Sequence, residues 1–187
     1  MNEILRRATA CLLVVDVQER LAAVMAHRDP VVERCVRLVK GFRKLGLPIH
    51  VTEQYPEGLG PTVPELRDAL AGVEPLVKST FSCCGLPEDA DHPLMQRLVA
   101  GGRRQVVVCG MEAHVCVLQT ALVLAARGVD VHVVEDAVCS RDDGHCRNAL
   151  ARLRAAGITV TNHESALFEV LEDSAAPEFR HVAKLVR

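Results

Sequence analysis

The sequence predicts an α/β fold: three α-β-α layers around a mostly parallel six-stranded sheet, Rossmann-like in plan. Two observations carry this. Short apolar runs alternate with segments of helical period along the whole chain, and the run at 9–15 shows no polar alternation, as expected of a central strand covered on both faces. A third observation places the site: the 106–109 run ends at Gly110, and a long apolar helical pattern begins a few residues later, a strand, tight turn and helix in succession.

In chain order, strand 9–15 ends at Asp16. Asp29 and Pro30 are expected to cap and open a helix whose apolar positions are 32, 35, 36, 39 and 42, closing near Gly46. A short strand at 48–52 leads into a Pro- and Gly-rich loop, 52–64, and a brief helix is expected within 62–70. Strand 74–78 ends in Lys78, 81–91 reads as a loop, and 92–100 as a helix closed by Gly101 and Gly102. After the 106–109 strand come a helix over 115–126, a strand at 129–134, a helix at 142–156, a strand at 158–161 and a helix at 164–171. Pro177 breaks the chain, and Phe179, Val182, Leu185 and Val186 mark a last docking helix. The 187 residues suit a single domain spanning 1–187.

Composition excludes several classes of function. Apolar residues make up 49% and charged residues 25%, enough for a core and unlike a disordered chain. Aromatics are only 3% and the net charge is −2, so base stacking and phosphate attraction are both poorly served and no nucleic-acid partner is expected. The apolar runs are too short for a membrane span. Eight cysteines without metal-ligand spacing, several inside apolar runs, fit reduced thiols in a cytoplasmic protein.

In a doubly wound sheet, ligands bind beyond the C-terminal strand ends. Asp16, Lys78 and Cys116 each fall at or just past such an end, so topology alone sends a carboxylate, a cation and a thiol to one rim. Cys116 is the candidate nucleophile, because unpaired N–H groups and the dipole in the first turn of a helix favour a thiolate. Lys78 would supply positive charge and Asp16 would accept the thiol proton; the same N–H groups would stabilise an oxyanion formed by attack on a carbonyl. Gln18, Tyr55, Phe81 and His114 are candidate pocket residues, with Glu112 at the pocket's mouth.

These residues also carry a family resemblance. Asp16 in Leu-Val-Val-Asp-Val-Gln, Lys78 in Val-Lys-Ser-Thr-Phe-Ser and Cys116 in Gly-Met-Glu-Ala-His-Val-Cys-Val-Leu-Gln-Thr-Ala together resemble the isochorismatase-like cysteine hydrolases. The segments 52–60 and 133–141 are most similar to the branch called isochorismatase domain-containing proteins. The resemblance implies that Cys116 attacks an amide-like or related small carbonyl substrate to form a thioester, Asp16 takes the proton and Lys78 holds Asp16. It also implies a cis peptide at Met111–Glu112 and an oxyanion hole built from the N–H groups of Glu112 and Cys116.

Two departures from the family pattern narrow this. Ala113 stands where members often carry Thr. The 52–64 loop has neither Asp nor His, the metal ligands of nicotinamidases, so no metal is expected and nicotinamide is disfavoured. No cofactor is expected: the Gly58 and Gly60 spacing follows no strand-to-helix turn of the dinucleotide-binding kind. Isochorismatases proper lack the cysteine, which disfavours vinyl-ether hydrolysis. The helix over 115–126 is apolar nearly all round, and a homo-oligomer is expected. Two alternatives stay open: a non-catalytic interaction protein on the same fold, and a redox sensor pairing Cys116 with Cys83, Cys84 or Cys109.

Overall fold

The structure, a computed structural model, describes residues 3–86, 89 and 92–187. Six strands carry the architecture: β1 (Ala10–Val15), β2 (Ile49–Gln54), β3 (Leu76–Lys78), β4 (Gln105–Met111), β5 (Asp130–Cys139) and β6 (Thr159–Thr161). They hydrogen-bond in the order β3-β2-β1-β4-β5-β6, every pair parallel. The order reverses between β1 and β4, so the crevice this fold reserves for ligands opens beyond Val15 and Met111.

Helices cover both faces of the sheet. Along β1, Ala10, Leu12 and Val14 join one core while Cys11, Leu13 and Val15 join the other, the two-residue alternation of a strand buried on both sides. The first core is roofed by α2 (Arg28–Lys44), α4 (Pro64–Ala69), α8 (His163–Leu171) and α9 (Phe179–Leu185). The second is roofed by α5 (Pro93–Ala100), α6 (Leu118–Ala126) and α7 (Asp143–Ala155). Phe42, Leu38, Leu124 and Leu153 are fully buried, each contributing roughly 1.5–3 kcal/mol through removal from water.

Several boundaries differ from the sequence reading. Asp29 does not cap α2: it lies inside the first turn, paired with Arg28 (2.6 Å), while His27 holds the cap position without a side-chain bond to the helix N-terminus. A short helix, α3 (Pro56–Leu59), occupies part of the 52–64 stretch read as loop, and another, α1 (Glu19–Ala22), lies between the first expected strand and the first expected helix. β2 continues through Glu53 and Gln54 because β3 pairs with those residues, a non-local partner that local pattern does not reveal. β5 runs five residues past Val134, its register with β4 shifting between Val108 and Gly110. Residues 87, 88, 90 and 91 of the expected 81–91 loop lie outside the described residues.

The helix expected over 142–156 is α7, Asp143–Ala155. Asp142 caps α7, its carboxylate accepting from Gly144 N (2.7 Å) and His145 N (3.1 Å). Among the described residues, no helix is long and apolar enough to cross a membrane.

Candidate active site

The ends of β1 and β4 and the turn after β4 build the site. β1 delivers Asp16, whose backbone is left-handed (φ 49°) and whose side chain is fully buried. β4 delivers Gly110 at φ 122°, packed so closely on β1 that a Cβ would meet the Val15 carbonyl; only glycine lets the two strand ends approach there. The Met111–Glu112 peptide is cis, as the resemblance implied. A π-helical turn, Ala113–Val117, then carries Cys116 and runs directly into α6. The expected ordinary helix start is therefore a wider turn, closed by Val117 N donating to the Glu112 carbonyl (3.2 Å).

Asp16, Lys78 and Cys116 do converge. Lys78 Nζ donates to Asp16 Oδ2 (2.7 Å), and the Cys116 thiol is near enough to the same carboxylate for it to raise the thiol's pKa. Lys78 reaches Asp16 from two strands away because Gln54, on the intervening β2, accepts from Nζ through Oε1 (2.7 Å). The Thr80 and Phe81 carbonyls accept from Nζ as well, both at 3.2 Å, so the ammonium is fully engaged. Thr52 Oγ1 donates to Asp16 Oδ1 (2.8 Å) and lies 3.4 Å from Cys83 Sγ. Burial works against the charged form of Lys78, but the charge and hydrogen bond of Asp16 favour it, and its pKa is raised.

One expectation is reversed. The sequence reading has the helix start and Lys78 favouring a thiolate at Cys116. In the structure burial pushes the Cys116 thiol well above its usual range, and the Asp16 charge and hydrogen bond push it further; Lys78 opposes them without prevailing. At neutral pH Cys116 therefore rests as a thiol with its proton already directed at Asp16, and its residue is only 5% exposed.

The secondary candidates scatter. Gln18 is fully buried and spends both amide hydrogens on the Gln54 and Gly60 carbonyls (3.0 and 2.7 Å) while its oxygen accepts from Gln54 N (2.8 Å); it clamps the 52–64 loop instead of facing a ligand. Tyr55 is exposed, its ring lying against Gly58. The Phe81 ring is exposed too, and with Leu86, Gln119, Leu122 and Val123 it lines a groove of about 400 Å³ beside α6. His114 turns to Ser140, Nδ1 to Oγ 2.9 Å, and stacks obliquely near His145 (4.8 Å between ring centres).

Sequence reasoning missed Thr52 and Gln54. The available signal was their spacing: two apart at the C-terminal end of a strand, they share a face, and that face meets Asp16 and Lys78.

All eight cysteines are free thiols. Cys109 packs in the core on the opposite face of the sheet from Cys116, which removes it as a resolving partner; Cys83 and Cys84 share the core of Cys116. Among the described residues no three His, Cys, Asp or Glu side chains gather as a metal site.

A parallel sheet in this order, with helices on both faces, places the chain among three-layer α/β proteins. The family model described as "Isochorismatase domain" matches residues 10–165. The mouse isochorismatase domain-containing protein 2A is 37% identical over 181 residues, covering 96% of this chain and 83% of its own. The chain belongs to the isochorismatase family. Among solved structures, one named as the MAR1 ribonuclease of Caenorhabditis elegans superposes with a TM-score of 0.90 at 35% identity, covering 98% of this chain and 92% of its own. The YcaC gene product of Escherichia coli, described as an octameric hydrolase of unknown specificity, gives 0.83 at 25% identity, covering 97% and 88%.

Proposed function

We propose that the protein is a cysteine hydrolase that acts on a small amide-like or related carbonyl substrate through a Cys116 thioester. The observation that carries this reading is the carboxylate of Asp16, which touches both the Lys78 ammonium (2.7 Å) and the Cys116 thiol in a buried site at the strand ends. As sulfur attacks the carbonyl carbon, the thiol proton passes to Asp16 and the electron pair of the C=O bond moves to oxygen. The N–H groups of Glu112 and Cys116 receive that oxyanion. Collapse of the intermediate expels the leaving amine, which takes the proton from Asp16. Water then attacks the thioester carbon and gives a proton to Asp16; the C–S bond breaks, the acid departs, and the Cys116 sulfur takes the proton back from Asp16. Lys78 holds the Asp16 carboxyl group in place throughout.

In this reading no metal or other cofactor takes part, and the protein is a cytoplasmic homo-oligomer of single-domain subunits. The E. coli neighbour, an octameric hydrolase by its description, supports both hydrolysis and assembly. The test is site-resolved alkylation of every cysteine by mass spectrometry, followed by a panel of small amides, in wild type and in Cys116→Ala. Amide hydrolysis that disappears in the variant is expected, with Cys116 alkylation slow at neutral pH and still rising at pH 9. A panel in which no amide is hydrolysed through Cys116 would turn the reading to a non-catalytic interaction protein. RNA cleavage that depends on Cys116 would favour the activity named for the C. elegans neighbour.

A further inference from the structure

The end of β5 touches the turn that carries Cys116 at two points. Ser140 Oγ meets His114 Nδ1 (2.9 Å), and Arg141 donates both its backbone N and its Nε to Glu112 Oε2, each at 3.1 Å. The Glu112 side chain is 8% exposed and that of Arg141 62%, so a carboxylate buried beside the nucleophile is held by an arginine reaching in from the surface. The Glu112 carbonyl is pinned too, accepting from Val115 N (3.1 Å) and Val117 N (3.2 Å). Residue 112 is thus tied at its carboxylate and at its carbonyl, and the group left free is its N–H.

We propose that Arg141 is a positioning residue for the carbonyl-oxygen site: through Glu112 it sets the direction of the Glu112 N–H. The inference rests on the Cys116 hydrolase reading and deepens it. Arg141 touches neither the thiol nor the substrate carbon. Its influence falls on the step in which negative charge develops on oxygen, where a small misdirection of a fixed donor is felt most. The Arg141 Nε and backbone N converge on one carboxylate oxygen, so residue 141 holds the Glu112 side chain from two directions through charge-assisted bonds.

Two reagents that share the thiol but differ in the oxygen separate this role from a general structural one. With p-nitrophenyl acetate, sulfur bonds to the carbonyl carbon, oxygen carries the charge, and p-nitrophenolate leaves as the acetyl thioester forms. With methyl methanethiosulfonate, sulfur bonds to sulfur and methanesulfinate leaves, so no carbonyl oxyanion arises. Both rates are read at Cys116 by mass spectrometry in wild type, Arg141→Ala and Glu112→Gln, the latter keeping an acceptor oxygen while losing the charge. The expected result is an acetylation rate about tenfold lower in Arg141→Ala, a smaller fall in Glu112→Gln, and a thiosulfonate rate within about twofold of wild type in both. Equal falls in both rates, or unchanged acetylation, would overturn the positioning role while leaving Cys116 as nucleophile. A wild-type Cys116 that reacts with neither reagent would overturn the hydrolase reading and this inference with it.

Discussion

Asp16 holds two partners of opposite demand, and replacing it separates them. Its charge and its hydrogen bond both hold the Cys116 thiol protonated, whereas Lys78 favours ionisation. Asp16→Asn is therefore expected to lower the thiol pKa and to speed alkylation by iodoacetamide at pH 8–9, while abolishing substrate turnover for want of a proton acceptor. Slower alkylation would contradict the arrangement described. In wild type the rate should still be climbing at pH 9, since the thiol ionises only above its usual range. Lys78→Ala leaves a buried carboxylate without its cation and is expected to destabilise the fold by about 3–5 kcal/mol, read from urea unfolding. The placement of Asp16, Lys78 and Cys116 at strand ends was legible in the sequence, because topology alone sends strand ends to one rim. The resting state of the thiol was not, because burial and the distance between Asp16 and Cys116 are properties of the packed site.

Gly110 shows how much the site depends on one join between elements. Its φ of 122° and the close approach of the Val15 carbonyl leave no room for a side chain at the switch point. Gly110→Ala should force β1 and β4 apart, cost about 2–3 kcal/mol or more and displace the 113–117 turn, so both unfolding free energy and Cys116 labelling should fall. Unchanged labelling with lowered stability would show that the turn is held independently of the strand. The glycine was visible as a punctuation mark ending an apolar run. That the following helix opens as a π turn was not, because this depends on a hydrogen bond from Val117 N to the Glu112 carbonyl and on the extended β5 pairing Cys139 with Met111.

Across the whole molecule the buried thiols make alkaline pH a threat to the fold. Burial pushes Cys83 up to about 11 and Cys11, Cys84 and Cys139 up to about 12, and Cys116 higher still. Unfolded, each ionises near its ordinary value, so as pH rises past about 9 the unfolded chain loses protons that the folded chain keeps. The sign follows: the stability these thiols contribute is complete below that point and drains away as pH climbs toward their folded values. Each such thiol removes about 1.4 kcal/mol per pH unit. Under reducing conditions the urea midpoint is expected to fall steeply between pH 9 and 11. A flat profile would mean that the cysteines are accessible to water. The α/β class, the order of strands and helices and the rim that carries the three reactive groups were already present in the residues alone, because hydrophobic period and strand-end placement are local patterns. Only the folded chain could show that Gln54 and Thr52 hold Lys78 and Asp16, that Gln18 is a clamp, that Cys109 faces away from Cys116, and that Arg141 reaches Glu112. Those facts depend on contacts between residues far apart in sequence, and on a burial that no local window contains.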